Sequence, residues 1–291
     1  MKIAVLSGKG GTGKTFVSVN LASVSSGATY IDCDVEEPNG KLFLQGDTHS
    51  TYIVNTYMPS FDTAKCTGCR KCVDWCKFNA LIFVKGTAKL FDEGCHSCNA
   101  CKIICPTSAI TMQAHPLGKV EISKHNDTVV VTGFLDIGKA SGVPIIKECL
   151  LHNSPVTIVD CPPGSGCSVM ESINQADYCV IVVEPTAFGF DNFQMVYNLA
   201  KHMGKKLGLV INKQDTPYAP LEQFIKQHDL DILMRIPFDK DIATTLANGE
   251  ILVEKNAEWK KMFENLLLQI IQKVEPNDMH KTTVYKEHNN I

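Results

Sequence analysis

The chain has no apolar run approaching the ~20 residues that a membrane span requires, so stable membrane insertion is not expected. It has little charge of either sign in excess: 28 Lys plus Arg stand against 31 Asp plus Glu, a formal net charge of −3. Nucleic-acid binding needs a cationic surface to neutralise phosphates, and no nucleic-acid partner is expected from this balance. No cleavable hydrophobic region separates Met1-Lys2 from the first apolar strand, which makes a cytoplasmic location the expectation. An even cysteine framework is also missing. The 13 cysteines are an odd number, and eight of them crowd between residues 66 and 105. Such crowding reads as metal ligation rather than the cross-linking of a secreted scaffold.

What is present suits a large α/β fold. The 291 residues are 44% hydrophobic and 20% charged, enough for two domains or for one with an insertion. An apolar strand at 2–6 leads through a glycine-rich turn into a helix from 15 to about 26, stopped by Gly27, and 29–32 reads as a second strand. Apolar strands recur at 156–159, 179–183, 207–211 and 232–236, with helical stretches around 187–203, 217–227, 240–250 and 256–274. Strand alternating with helix implies βαβ units and a mostly parallel sheet flanked by helices. Residues 1–58 and 116–275 are therefore assigned to one split domain and 60–113 to an inserted one. A polar tail is assigned to 276–291.

Gly8-Lys9-Gly10-Gly11-Thr12-Gly13-Lys14-Thr15 fits G-x-x-x-x-G-K-[ST] between a strand and a helix, the context a phosphate loop requires. Its glycines let backbone N–H groups face phosphate oxygens, and the helix N-terminus adds partial positive charge. Lys14 is expected to reach the β- and γ-phosphates and Thr15 to ligate Mg²⁺. Residues 155–160 form an apolar strand ending in Asp160, followed by Cys161-Pro162-Pro163-Gly164. This is the shape of a segment whose carboxylate holds a Mg²⁺-bound water. Leu209-Val-Ile-Asn212-Lys213-Gln214-Asp215 contains N-K-x-D, which in GTPases reads guanine.

Cys66-x₂-Cys69-x₂-Cys72-x₃-Cys76 and Cys95-x₂-Cys98-x₂-Cys101-x₃-Cys105-Pro106 each have the bacterial ferredoxin spacing. Thiolates at two-residue intervals wrap one iron–sulfur cube, and the fourth cysteine is carried to the neighbouring cube. Cys66, Cys69, Cys72 and Cys105 are therefore assigned to one [4Fe–4S] cluster, and Cys76, Cys95, Cys98 and Cys101 to the other. Zinc is the rival for C-x₂-C pairs. Lys77 replaces the proline expected after Cys76, and His96 reads as a loop side chain rather than a ligand.

The second lysine in K-G-G-x-G-K-T, a deviant Walker A loop, gives the chain a resemblance to the MinD/ParA/Mrp superfamily of P-loop ATPases, which includes the nitrogenase iron protein. Asp32-Cys33-Asp34, the Asp160-x-Pro-Pro-Gly164 run, Asp34-Val-Glu-Glu-Pro-Asn39, Glu184-Pro-Thr186 with Phe188-Gly189, and Gly133-x-Leu135-x-Ile137-Gly138 extend it to about residue 275. The resemblance implies a nucleotide-sandwich homodimer formed with ATP, in which Lys9 reaches the partner's nucleotide. It implies that Asp34 acts on the attacking water, and that Asn212 and the Pro237 turn contact adenine. ATP is thus favoured over GTP.

Of the remaining cysteines, Cys149 and Cys179 are expected in the core and Cys33 pointing into the sheet. Cys167 follows Asp160 at the interval that carries an interface cluster cysteine in the nitrogenase iron protein; it is either a free thiol or a labile interface ligand, with Cys161 as its only possible companion. The apolar face of the last helix, Trp259 to Val274, is expected to pack on the sheet. The expected function is ATP hydrolysis coupled to electron transfer through two [4Fe–4S] clusters to a redox or metalloprotein partner. The alternative is a cluster or metal carrier.

Overall fold

The computed structural model describes residues 1–275; the tail assigned to 276–291 lies outside the described residues. A nine-stranded sheet forms the centre, built from β1 (Lys2–Leu6), β2 (Thr29–Asp32), β3 (Thr48–Phe61), β6 (Ile110–His125), β7 (Thr128–Leu135), β8 (Thr157–Asp160), β9 (Tyr178–Val183), β10 (Leu207–Gln214) and β11 (Ile232–Pro237). Its order is β11-β10-β9-β1-β8-β2-β7-β6-β3. The strands from β11 to β7 pair in parallel, while β6 and β3 add an antiparallel edge. A separate two-stranded sheet joins β4 (Leu81–Val84) to β5 (Thr87–Leu90).

Helices cover both faces, because parallel strands buried on both sides are apolar throughout. One face carries α5 (Val143–Cys149), α6 (Cys167–Asn174), α7 (Ala187–His202) and α8 (Ala219–Gln227), through Ile145, Ile173, Val196 and Leu221. The other carries α1 (Lys14–Ser23), α9 (Lys240–Ala247), α10 (Leu252–Lys255) and α11 (Ala257–Val274). Short helices α2 (Gly40–Phe43), α3 (Lys71–Asp74) and α4 (Ala100–Ile103) sit in the loops. The helix read to about 26 ends at Ser23, and Gly27 turns with φ 64°. The apolar face of α11 packs as expected, with Phe263 edge-on to Phe16 at 5.9 Å between ring centroids. Among the described residues no helix is long and apolar enough to cross a membrane.

The long strands β3 and β6 depart from the sequence reading. The boundaries drawn at 58–60 and 113–116 fall inside them. Tyr52, Val54 and Val120 face α5 on one side of this pair, while Ile53 and Tyr57 on the other side are exposed. The register shifts beside Val54/Asn55, opposite Pro116 and Gly118, where proline cannot donate to the ladder. β7 pairs with β6 only from Gly118 to His125. The residues of β6 before Gly118, with their β3 partners, project as a two-stranded ribbon roughly 25 Å long, at about 3.3 Å per residue. Leu135, the last residue of β7, marks where the ribbon leaves the sheet. This is the carboxyl edge of the parallel strands, where open α/β sheets place ligands.

Candidate functional site

The loops leaving β1, β2, β8, β10 and β11 converge at that edge around a cleft of about 400 Å³. Lys9, Gly10, Gly11, Gly13, Lys14 and Thr15 line it, as do Asp34, Asn212 and Pro237. Gly8, Thr12 and Asp160 are not among its lining residues, and Thr12 and Asp160 are buried. Gly13 turns with φ 94°, and a Cβ there would meet the Asn212 amide nitrogen at 2.1 Å. Only glycine fits, and α1 starts on the next residue.

The loop's charges are already paired. Lys14 Nζ donates to Asp160 Oδ1 at 2.8 Å, with both side chains buried. Burial opposes the lysine charge, but Asp160, with Asp32 and Asp34 behind it, holds Lys14 above its ordinary pKa. The other Asp160 oxygen accepts from the Tyr30 hydroxyl at 2.9 Å. Lys9 Nζ pairs with Glu184 Oε2 at 2.6 Å and lies over the Phe188 ring, 5.2 Å from its centroid. Glu184 Oε1 takes Lys213 at 2.7 Å, and Lys213 also donates to the Gly11 carbonyl. Burial pushes Glu184 up, but the two lysines hold it below the usual carboxylate range.

The two carboxylates after β2 behave differently. Asp32 accepts from the backbone N–H groups of Asp34 and Gly40. Burial, with the Asp160 charge next, pushes it up to about 7. Asp34 faces the cleft, and burial raises it to about 6 against the pull of Lys14. Asn212 donates one amide N–H to the Thr12 carbonyl at 2.7 Å, which leaves its Oδ1 and a second N–H for a ligand. Asp215 is exposed and outside the cleft lining.

Tyr30 and Glu184 went unassigned from sequence. Tyr30 reads as an ordinary strand aromatic, and only the fold brings β2 beside Asp160. Glu184 stood in a family-like run, and its spacing from Lys9 carries no signal.

The eight clustered cysteines lie along the ribbon in two small cavities. Cys66, Cys69, Cys72 and Cys105 line one, with Phe61, Arg70, Lys71, Phe83, Thr107 and Ile110. Cys76, Cys95, Cys98 and Cys101 line the other, with Pro59, Phe78, Asn99, Ala100 and Met112. Each cavity therefore gathers three cysteines of one run and the fourth of the other. None is in a disulfide. Among the described residues, no group of three or more His, Cys, Asp or Glu side chains is placed to hold a metal ion. Four thiols at each cavity are the number that a four-iron cube takes.

The two runs also share a backbone. Arg70 and Asn99 both have φ 62°, and Asn79 and Ser108 have φ 51° and 52°. Ala80 N–H donates to Cys76 Sγ and Ala109 N–H to Cys105 Sγ, each at 3.3 Å. Asp62 N–H bonds to the Ala109 carbonyl as Phe91 N–H does to Ala80, both at 2.8 Å. His96 stacks on Phe78, with ring centroids 4.0 Å apart, and lines the second cavity.

Cys33, Cys149, Cys161 and Cys179 are buried. Cys161 was read as a companion for Cys167 in a labile site; instead it is fully buried, and burial pushes its thiol well above the ordinary value. Of the five cysteines outside the two runs, Cys167 alone is exposed, at the first turn of α6.

Comparison with known proteins adds three findings. The family model described as the CobQ/CobB/MinD/ParA nucleotide binding domain matches residues 3–253. The uncharacterized protein MJ0579 of Methanocaldococcus jannaschii is 30% identical over 267 residues, covering 88% of this chain and 93% of that protein. MJ0578 of the same organism is 27% identical, covering 91% and 95%. Among solved structures, the septum site-determining protein MinD of Pyrococcus horikoshii, complexed with Mg-ADP, superposes with TM-score 0.56 at 20% identity, covering 92% of this chain and 95% of that one. The cell division ATPase MinD of Pyrococcus furiosus gives 0.57 at 19%, covering 93% and 98%. These two likenesses are of fold.

Proposed function

This chain belongs to the CobQ/CobB/MinD/ParA nucleotide-binding family of P-loop ATPases, and from that premise we propose that it couples ATP binding and hydrolysis to electron transfer through two [4Fe–4S] clusters. ATP with Mg²⁺ occupies the cleft. The loop N–H groups and Lys14 hold the phosphates, while Thr15 and Asp160 hold the Mg²⁺. For Asp160 to take that part, Lys14 moves from its carboxylate to the phosphate. Asp34 accepts the proton of the attacking water, for which an acid near 6 is suited at neutral pH. The Asn212 Oδ1 accepts a hydrogen bond from the exocyclic amine of adenine. Lys9 crosses to the nucleotide of a second copy, making the ATP state a homodimer.

The segment between the outer ends of β3 and β6, residues 62–109, carries the redox groups. Bound clusters would supply one-electron chemistry; the chain's part is to supply four thiolates to each and to shield them. The observation that carries the reading is the crossed sorting of eight cysteines into two cavities on a ribbon tied to the ATP loops. That tie is direct. The Val35 carbonyl, next to Asp34, accepts from Leu135 N–H at 2.8 Å, and Asp136 N–H donates to Leu117 at the ribbon's base at 3.0 Å. A Cβ at Gly133 would strike the side chains of Val35 and Ile145 at 2.7 and 2.8 Å, so this junction is closely packed.

Anaerobic reconstitution tests the reading. About eight irons per chain with matching sulfide are expected, falling by half in Cys69→Ser and in Cys98→Ser. Stoichiometric zinc without sulfide would refute it. The carrier reading is favoured by one observation, the exposed Cys167; iron passed to an apo-acceptor by wild type but not by Cys167→Ser would establish it instead.

A further inference from the structure

We propose that the two cluster sites are electrostatically unequal, and that the site of Cys66, Cys69, Cys72 and Cys105 has the higher reduction potential. The inference rests on the cluster reading above. The two sites are near-copies, so the differences between them stand out against a common backbone.

The repeat places Arg70 opposite Asn99, with the same left-handed φ of 62°. It places Lys71 opposite Ala100, each the first residue of its short helix, α3 and α4. It places Thr107 opposite Phe78. All six residues line their respective cavities. The first cavity therefore has a guanidinium, an ammonium and a hydroxyl where the second has an amide, a methyl and a ring. Arg70 is fixed in place over Phe83, 5.5 Å from the ring centroid. The Thr107 hydroxyl lies 3.8 Å from Cys105 Sγ, in addition to the Ala109 N–H bond that both sites share.

Nearby carboxylates do not cancel this difference. Asp62, before the first run, is paired with Lys65 at 3.4 Å. Asp74 closes α3 beside Lys71 and offsets that ammonium, which leaves the Arg70 guanidinium as the uncancelled charge of the first site. On the other side Lys77 and Lys102 follow Cys76 and Cys101, and Asp92 and Glu93 of the 3₁₀ turn that leads into Cys95 offset them, so the second site has no net cation to match Arg70.

Reduction of a bound cube would add one electron, supplied by an external one-electron donor, without making or breaking a bond. The added negative charge is stabilised by nearby cations and by hydrogen bonds to the sulfurs, which are the features that set such potentials. Both favour the Cys66 site. That site is bounded by Phe61 and Ile110 and the other by Pro59 and Met112, so the favoured site is further out along the ribbon. The first electron taken up rests at the outer cluster.

The test exchanges the differing residues. Iron and sulfide are counted first, and the loaded chain is then titrated with dithionite while the reduced clusters are followed by electron paramagnetic resonance. Two waves are expected. Arg70→Asn with Lys71→Ala should lower the upper wave by at least tenfold in its equilibrium constant, 59 mV for one electron, and draw the waves together. The reverse exchange, Asn99→Arg with Ala100→Lys, should raise the lower wave. It guards against misfolding, since arginine already adopts that backbone at position 70. A chain without sulfide-bound iron refutes the cluster reading itself. A chain with eight irons whose waves coincide, or ignore both exchanges, refutes the inequality alone.

Discussion

In the proposed dimer, Lys9 and Glu184 set a competition between two ion pairs. In the isolated chain Lys9 is held by its own Glu184 at 2.6 Å, so crossing to a second subunit requires that contact to break. Glu184→Gln should weaken the internal contact and raise the dimer fraction at subsaturating ATP, read by sedimentation. A fall would mean that Glu184 serves the dimer. Tyr30 has a different task, since its hydroxyl bonds a buried carboxylate. Tyr30→Phe should cost about 1.5–3 kcal/mol in urea unfolding, the range for a hydrogen bond to a charged group. The pH behaviour of Asp34 has a definite sign. Its folded pKa is raised to about 6, so the carboxylate is lost as pH falls through 6. Hydrolysis should drop along that limb, while in Asp34→Asn it should be slow and nearly flat across the same range, with ATP still bound. Lys14→Ala should abolish binding. The phosphate loop and Asp160 were legible in the sequence because their chemistry is local; Tyr30 and Glu184 were not, because each acts on a residue that only the sheet order brings near.

Legibility among the elements followed the strength of the periodic signal. The helix α11 could be read from its apolar face, and it lies against α1 through Phe263 and Phe16. Phe263→Ala should therefore cost about 3–5 kcal/mol, measured by chemical denaturation. The short buried strands β8 to β11 were legible for the same reason. The strands β3 and β6 were not. Their buried residues alternate with Thr51, Asn55 and other polar ones, and Pro59, Pro116 and Gly118 interrupt the run. Such interruptions demote a strand in any reading by propensity, yet an edge pair with a bulge tolerates them. What decided the outcome was packing of Val54 and Val120 on α5, a contact between distant parts of the chain.

At the scale of the molecule, parallel order and placement of ligands at the carboxyl edge followed from the βαβ pattern. The direction in which the cysteine segment projects did not, because it depends on β6 outrunning β7. That geometry has a consequence for the chain's modular character. Phe61 and Ile110 are direct partners across an antiparallel pair, so the segment leaves and returns through neighbouring backbone positions. A two-residue Asn-Gly turn would span the gap. A chain with 62–109 replaced by that turn should bind ATP within about twofold of wild type by calorimetry, since each tenfold corresponds to about 1.4 kcal/mol and no cleft residue is removed; loss of binding would show that the segment props up the cleft. Seen this way, the ribbon is a socket. Any compact unit whose two ends lie one strand-pair apart could be seated there without disturbing the register of the sheet beneath, and the cysteine segment could equally be transplanted to the tip of another hairpin.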